Sequence, residues 1–332
     1  MDLLNRKYPL TRMRRNRMKS FSRNLMAENR ISINDLIWPV FIKEGTNKTE
    51  SIKTMPDIFC FSIDSLISEL EKPVSKGLNA IALFPQIDAE LKNNKGTLAL
   101  DENNLVCRAI KTIKSYYPDL GLICDVALDP FTDHGHDGIV KNGAVRNDET
   151  IEILINQALV YANSGCDVLA PSDMMDGRIK IIRENLEKNG FHDTILISYA
   201  AKYASSFYGP FRDAVKSSKL VEPINKKSYQ MDVANVNEAI QEISLDISEG
   251  ADMIMIKPGM PYLDIISKAK QKFGVPTLAY QVSGEYSMIM SASKANYLSF
   301  ENVVMESLTC FKRAGADGIF TYFVPKIIDI IE

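Results

Sequence analysis

The segment Ser248-Glu249-Gly250-Ala251-Asp252-Met253-Ile254-Met255-Ile256-Lys257 joins a helix end to a short apolar run that finishes on a lysine. Gly250 is placed to cap the helix, and Asp252 leads into the apolar run. A run of this length and composition is typical of a buried strand. Pro258 and Gly259 follow the lysine directly and stop the strand. The segment therefore predicts helix, turn and buried strand in that order, the repeating unit of an α/β fold.

Related joints occur twice more, as Asn163-Ser164-Gly165-Cys166-Asp167-Val168 and Arg313-Ala314-Gly315-Ala316-Asp317-Gly318. Short apolar, β-branched runs predict eight strands. These are Leu36–Ile42, Ala80–Phe84, Gly121–Val126, Cys166–Ala170, Thr194–Tyr199, Asp252–Ile256, Pro276–Tyr280 and Gly318–Tyr322. Helices are predicted between the strands, so the pattern predicts a (β/α)8 barrel, the TIM barrel fold. A doubly wound sheet also alternates, but no glycine-rich phosphate loop follows the first strand.

One of the predicted helices, Asp148–Ser164, carries an apolar stripe at helical spacing, which predicts a packed face. The stripe consists of Ile151, Ile155, Leu159 and Ala162.

Composition places the chain among globular proteins, since 45% of its 332 residues are hydrophobic and 24% are charged. The five cysteines are scattered, odd in number and form no C-x-x-C pair, which argues against a disulfide framework and a cysteine zinc site. They are Cys60, Cys107, Cys124, Cys166 and Cys310. No apolar run approaches the length of a membrane span, and the N-terminus lacks the apolar core of a signal peptide. We expect a cytoplasmic protein without a membrane partner.

Residues 1–30 are strongly basic and contain only Asp2 and Glu28 as acidic residues, although the whole chain carries a net charge of −3. A basic arm of this kind can bind nucleic acid, act as a transit peptide or dock on another subunit. The acidic remainder favours the third interpretation. We expect residues 1–30 to be an oligomerisation arm and residues 31–332 to form the catalytic barrel, with no nucleic-acid partner.

Two lysines are the strongest candidates for chemistry. Burial of Lys257 at the end of its apolar strand would lower its pKa, and the neutral amine can attack a carbonyl to form an imine. The alternative is a lysine whose head reaches water from a strand end. Lys202 likewise comes after a predicted strand and opens an aromatic-rich loop; alone it would be taken for a surface lysine. Close together, the two amines would lower each other's pKa.

The segment from Asp125 to Gly138 contains four aspartates and two of the three histidines. Clustered carboxylates and imidazoles are typical of a divalent-cation site or of general acid–base catalysis. The alternative is a solvated acidic loop.

The two lysine segments together resemble the porphobilinogen synthase (5-aminolevulinate dehydratase) family, and the resemblance extends from Tyr8 to Tyr322. The most specific motif is Met255-Ile256-Lys257-Pro258-Gly259-Met260-Pro261-Tyr262. The resemblance implies a lyase of haem and porphyrin biosynthesis that condenses two 5-aminolevulinate molecules to porphobilinogen with loss of two waters. Lys257 would hold the first substrate as a Schiff base and Lys202 the second.

The same resemblance assigns roles to further residues. Amine orientation and proton transfer would fall to Asp125, Ser172, Asp173 and Tyr199. The substrate carboxylates would be bound by Arg212, Lys226, Gln230, Ser283 and Tyr322. Glu242 matches the position of an allosteric Mg²⁺ ligand, although a solvent-facing helix glutamate is the alternative there. The implied assembly is a homo-octamer built from dimers whose arms embrace one another.

Zinc-type members of the family carry three cysteines where this chain has Ala127, Asp129 and Asp137. The thiolate ligands for zinc are therefore missing, and the chain is similar to the aspartate-rich type that does not require zinc. Three alternatives remain for what Asp129 and Asp137 bind, namely Mg²⁺, a monovalent cation or only water. His136 differs from the usual residue of that type.

Two other functions compete with this interpretation. A class I aldolase shares the barrel and one imine-forming lysine, but it needs a phosphate or sugar site and no second lysine. A nucleic-acid-binding protein would use the basic arm and would bind in a strongly salt-dependent way.

Overall fold

The computed structural model describes residues 7–216 and 225–331. These residues fall into two compact units, one within residues 1–30 and one within residues 31–332. The first unit contains a 3-10 turn at Met13–Arg17 and the helix α1 at Ser20–Leu25. Among the described residues, no helix is long and apolar enough to span a bilayer.

The second unit is built around a closed ring of parallel strands, eight of them in the described ranges. They are β1 (Leu36–Lys43), β4 (Ala80–Gln86), β5 (Gly121–Val126), β8 (Val168–Pro171), β9 (Ile195–Lys202), β10 (Met253–Lys257), β11 (Thr277–Tyr280) and β12 (Gly318–Phe320). The ring closes where Leu36 of β1 pairs with Ile319 of β12. All eight predicted strands are present, with ends within three residues of the predicted ones, so the predicted TIM barrel is confirmed.

Helices follow the strands and cover the outside of the ring. They are α2 (Ile63–Ser75), α3 (Leu105–Tyr116), α4 (Asn147–Asn163), α5 (Arg178–Lys188), α6 (Gly209–Ala214), α7 (Asn237–Ser248), α8 (Leu263–Phe273), α9 (Ser283–Lys294), α10 (Phe300–Ala314) and α11 (Val324–Ile327). In α4 the buried face is rotated from the predicted stripe. Leu154, Ala158 and Tyr161 are buried, whereas Ile155 and Leu159 are only half-buried, because a helix packed between two neighbours buries a broad face.

Two hairpins were missed by the sequence analysis. The short strands β2 (Thr49–Ser51) and β3 (Phe59–Phe61) pair antiparallel beside β1, and β6 (Val140–Lys141) pairs with β7 (Ala144–Val145). β2, β6 and β7 contain no buried residue, so they have no apolar alternation that a sequence pattern could reveal.

The glycine–aspartate joints form a repeated brace at the N-terminal end of the barrel. Gly165, Gly250 and Gly315 have φ values of +98°, +104° and +110° and end their helices in the left-handed conformation. Each aspartate accepts a backbone N–H from the neighbouring strand and pairs with a basic side chain of the helix before that strand. The ion pairs are Lys114–Asp167 (2.7 Å), Arg183–Asp252 (2.5 Å) and Lys270–Asp317 (2.7 Å).

A fourth joint, Gly77-Leu78-Asn79, precedes β4 in the same way, and Gly77 has φ +97°. Here the position of the aspartate is held by Asn79, whose amide donates to Asn34 at 2.6 Å. The four joints precede every second strand of the ring. Each of the three aspartates connects the start of its own strand to the strand beside it.

A bulge in β9 sets the direction of Lys202. Ile254 of β10 pairs with Ser198, but Ile256 pairs with Ala201 and Lys257 with Lys202, so β9 holds one extra residue between these pairs. Ser198 points outward, where its hydroxyl donates to Asp246 of α7. Strict alternation would turn Lys202, four residues later, outward as well. The bulge instead brings Lys202 beside Lys257, inside the barrel.

Candidate active site

The cavity at the C-terminal end of the strands collects most of the predicted site residues. It is lined by Asp125, Asp129, Asp137, Ser172, Lys202, Tyr208, Phe211, Arg212, Lys226, Gln230 and Lys257. This is the end of the barrel at which TIM-barrel enzymes carry their chemistry.

Lys257 is the last residue of β10, and its side chain is buried within a cage of aromatic rings. Its Nζ lies 4.4 Å from the ring centre of Tyr280, 5.1 Å from those of Tyr199 and Phe211, and 5.5 Å from that of Tyr208. Burial, followed by the like charge of Lys202, lowers the pKa of Lys257 to about 7. A large fraction of this amine is therefore neutral near pH 7 and able to attack a carbonyl.

Lys202 is in the opposite state. Its Nζ donates to Oδ1 of Asp137 at 2.8 Å and to the carbonyl oxygen of Ser172. Burial lowers the pKa of Lys202, but the carboxylates of Asp137, Asp129 and Asp125 outweigh that effect and raise the pKa above its ordinary value. The two neighbouring amines therefore differ in charge near pH 7. Lys257 is largely neutral, whereas Lys202 is protonated.

Asp137 joins these groups. Its Oδ2 accepts the ammonium of Lys226 at 2.6 Å and the hydroxyl of Tyr229 at 2.8 Å, while its Oδ1 accepts Lys202. Burial would raise the pKa of Asp137, but the two ammonium groups hold it well below its ordinary range. Asp137 is therefore a carboxylate at any physiological pH.

This arrangement does not fit a metal ion at the aspartate-rich loop. Both oxygens of Asp137 already carry ammonium groups, with which a monovalent or divalent cation would have to compete, and Ala127 offers no side-chain ligand. No group of three potential ligands is found among the described residues. The ammonium of Lys226 supplies the positive charge beside Asp137 instead.

Asp125 and Tyr199 lie beside Lys257. Burial, followed by the charge of Asp129, raises the pKa of Asp125 to about 7. No hydrogen bond is made by Oδ1 of Asp125 within the described part of the chain. A carboxyl group that titrates near neutrality, with an unused oxygen, can accept and return a proton during catalysis.

His136 is completely buried and supports the carboxylate of Asp137 through a phenol. Its Nδ1 lies 3.1 Å from the hydroxyl oxygen of Tyr229, and that hydroxyl donates its only proton to Asp137. Nδ1 of His136 must therefore be the donor in this chain. Burial lowers the pKa of His136 to about 4, so the ring is neutral and carries its proton on Nδ1.

The residues assigned to substrate carboxylates are only partly assembled. Arg212 and Gln230 line the cavity, and Lys226 lines it while bound to Asp137. The hydroxyl of Ser283 accepts the backbone N–H of Phe211 at 2.9 Å, and that of Tyr322 lies 3.0 Å from the hydroxyl of Tyr280.

Asp173 and Glu242 are not among the residues that line the cavity of the two lysines. Asp173 faces Nε of the buried Arg178 at 3.6 Å, and Arg178 also contacts Asp246 of α7. Glu242, on α7, lines a second cavity of about 410 Å³ together with Asp176 and Glu238. Burial, followed by the charge of Asp246, raises the pKa of Glu242 to about 7.

Sequence reasoning missed several residues of the site. Three of the four aromatic rings around Lys257 were missed, namely those of Tyr208, Phe211 and Tyr280, and so was Tyr229 in the network of Asp137. The aromatic-rich loop after Lys202 was a signal for the first two. Tyr280 ends a predicted strand at the active end of the barrel, which was a signal of the same kind as that for Tyr322.

Comparisons with known proteins identify the family of this chain. A family model described as delta-aminolevulinic acid dehydratase matches residues 10–330. A delta-aminolevulinic acid dehydratase of Methanothermus sociabilis is 53% identical over 98% of this chain and all of its own length. That of Bradyrhizobium diazoefficiens is 52% identical over 95% of this chain and 89% of its own length. The Toxoplasma gondii enzyme, solved in complex with the reaction product porphobilinogen, superposes with a TM-score of 0.94 at 43% identity, covering 96% of this chain and 91% of its own.

Proposed function

The chain belongs to the delta-aminolevulinic acid dehydratase family and catalyses the porphobilinogen synthase reaction, and we propose that this reaction proceeds through Schiff bases on Lys257 and Lys202. The observation that carries the proposal is the pair of buried amines on neighbouring strands, one with its pKa lowered to about 7.

The neutral amine of Lys257 attacks the ketone of one 5-aminolevulinate, and loss of water gives a protonated imine. The aromatic cage stabilises this cation and keeps bulk water from hydrolysing it. Asp125 gives and takes back the protons of carbinolamine formation and dehydration.

Lys202 forms the second imine after its ammonium transfers a proton to the carboxylate of Asp125 and leaves Asp137. The positive charge of the imine makes the adjacent carbon acidic, and its deprotonation gives an enamine that attacks the imine carbon held by Lys257. The amino group of the first substrate then closes the ring by displacing Lys202. Loss of a proton from the carbon that formed the new C–C bond expels Lys257, and transfer of a proton from the ring CH2 to the ring nitrogen gives the aromatic pyrrole. Two waters leave during imine formation, and both lysines return as amines.

We test this proposal by treating the protein with 5-aminolevulinate and borohydride and mapping the reduced adducts by peptide mass. Adducts are expected on the peptides that contain Lys257 and Lys202, with loss of activity. Lys257→Arg keeps a long basic side chain but cannot form the imine, so it should fold and be inactive. Lys227→Arg, at an exposed position, is the matched control.

Adducts confined to other lysines would contradict the roles of both residues. One modified lysine without porphobilinogen formation would favour the class I aldolase.

We further propose that Glu242 binds an allosteric Mg²⁺ ion. The carboxylates of Glu242, Asp176 and Glu238 line one cavity but do not form a group of three direct ligands. Retained waters would therefore supply most of the ligands, as Mg²⁺ usually prefers. The ion would bring positive charge next to Glu242, whose burial disfavours the charged form.

We also propose that residues 1–30 dock on a neighbouring subunit in a homo-octamer and that residues 31–332 are the catalytic barrel. Apolar side chains of the arm are exposed, namely Tyr8 (75%), Leu10 (86%), Phe21 (66%) and Leu25 (75%). Basic charge on the arm and acidic charge on the remainder would steer such docking. The five cysteines are free thiols, which supports our proposal of a cytoplasmic protein.

A further inference from the structure

Glu285, on α9, is a buried carboxylate that the reaction described above does not use. Its side chain is 3% exposed. Oε1 accepts the backbone N–H of Met260 at 2.7 Å, and Oε2 accepts those of Val282 at 2.8 Å and Gly259 at 3.2 Å. Buried carboxylates normally pair with a cation. Here three backbone donors hold the carboxylate in place of a cation and lower its pKa, although burial outweighs them and raises the pKa to about 7.

The three donors belong to the two loops that carry site residues. Gly259 and Met260 are the second and third residues after Lys257, and Val282 immediately precedes Ser283. Glu285 therefore ties the end of β10 to the start of α9.

The loop after Lys257 is confined on its other side as well. A Cβ atom on Gly259 would lie 2.4 Å from the ring of Phe311 and 2.9 Å from the carbonyl oxygen of Tyr280. The carbonyl oxygen of Lys257 accepts the N–H of Tyr203 and the hydroxyl of Tyr208, both at 3.0 Å. These contacts confine one side of the loop after Lys257. On the other side, the hydrogen bonds from Gly259 and Met260 to Glu285 fix its position.

We propose that Glu285 is a positioning residue for Lys257, which holds the backbone after the lysine so that its amine stays within the aromatic cage in an orientation suited to imine formation. This inference rests on the proposed role of Lys257 as a Schiff-base lysine. Lys202 makes its own contacts with Asp137 and Ser172, so the effect of Glu285 is specific to one of the two lysines.

The experiment uses the full chain and levulinate, a keto acid without the amino group, so that the reaction stops at the imine. Cyanoborohydride traps the imine, and the trapping rates at Lys257 and Lys202 are compared by peptide mass. Glu285→Gln is isosteric but sets an amide N–H against backbone donors. We expect its trapping rate at Lys257 to fall by about tenfold to a hundredfold, the effect of a displacement of about 1 Å, while the rate at Lys202 changes by less than about twofold.

Tyr286→Phe is the matched control. It removes a hydrogen bond from the next residue of α9, in which the hydroxyl donates to the carbonyl oxygen of Pro56 at 2.6 Å, and it should leave both trapping rates unchanged. If Glu285→Gln fails to fold, Glu285→Asp is used, because it retains the charge but cannot reach all three donors. We expect it to show a smaller loss at Lys257 only.

Equal slowing at both lysines would mean a general structural role and would overturn the inference, as would an unchanged rate at Lys257. Failure of the wild-type protein to be modified at Lys257 would instead refute the proposed function.

Discussion

The state of Lys257 makes the rate of imine formation predictably dependent on pH. An ordinary lysine, with a pKa of 10.5, has about one neutral amine in three thousand at pH 7, whereas a pKa of about 7 leaves about half of them neutral. The difference corresponds to about 5 kcal/mol and to about a thousandfold more reactive amine.

The trapping rate should increase with pH, because only the neutral amine can attack a carbonyl. Below pH 7 most of Lys257 is protonated and only the neutral fraction can attack, and above pH 8 the amine is almost fully neutral. Trapping at Lys257 with levulinate and cyanoborohydride should therefore rise about tenfold from pH 6 to pH 8 and then level off. An amine with a pKa of 10.5 would give a rise of about a hundredfold over the same range and no plateau.

The cause of the shift can be checked separately. Lys202→Met removes the like charge that, after burial, contributes most to lowering the pKa of Lys257, so the midpoint of the trapping profile should move above pH 7. Lys53→Met, which removes an exposed charge, should leave the midpoint in place. A wild-type midpoint near pH 10, or a midpoint that does not change in Lys202→Met, would refute the reasoning.

Other predictions concern the network around Asp137, the cations and the arm. Asp137→Asn leaves two buried ammonium groups without their carboxylate and should lower the free energy of unfolding in urea by about 3–5 kcal/mol. Asp133→Asn, exposed in the same loop, should change it by less than about 0.5 kcal/mol, and equal effects would argue against the network. His136→Gln keeps a donor for the phenol and should retain activity, whereas His136→Leu should lose about tenfold; steady-state rates that agree would exclude a role for the imidazole donor. Glu242→Gln should abolish stimulation of the activity by Mg²⁺. Zinc-selective chelation should leave the wild-type rate unchanged, and stoichiometric zinc whose removal ends activity would contradict the zinc prediction. Deleting residues 1–24 should lower the oligomeric state in light scattering coupled to size exclusion, and a truncated protein with full assembly and activity would show that the arm is dispensable.

Local sequence predicted the features that depend on local pattern. The eight strands follow from apolar runs, and Lys257 stood out because a charged residue ends such a run. The braces at Gly165, Gly250 and Gly315 follow from a repeated phrase in which glycine alone takes the left-handed conformation without strain.

Features that depend on distant partners were not predictable in this way. The charged state of Lys202 requires Asp137, which lies 65 residues earlier in the chain. Glu285 is an ordinary glutamate near the start of a helix until the fold places the loop after Lys257 against it. Arg178 is a helix residue that sequence would place in solvent, and its burial follows from Asp173 and Asp246 on other elements.

The bulge in β9 decides whether Lys202 points into the cavity, and so whether one or two of the proposed imine-forming lysines lie there. Ser198 and Lys202 are separated by an even number of residues yet occupy opposite faces of the strand, because one surplus residue reverses the alternation between them. If the same residues alternated strictly, without the bulge, the aspartate brace below would stay intact and the Lys202 side chain would point out toward α7. The barrel would then contain one proposed imine-forming lysine, as a class I aldolase does. Under the proposed mechanism, the bulge in β9 thus separates a barrel that can tether two substrates from one that can tether only one.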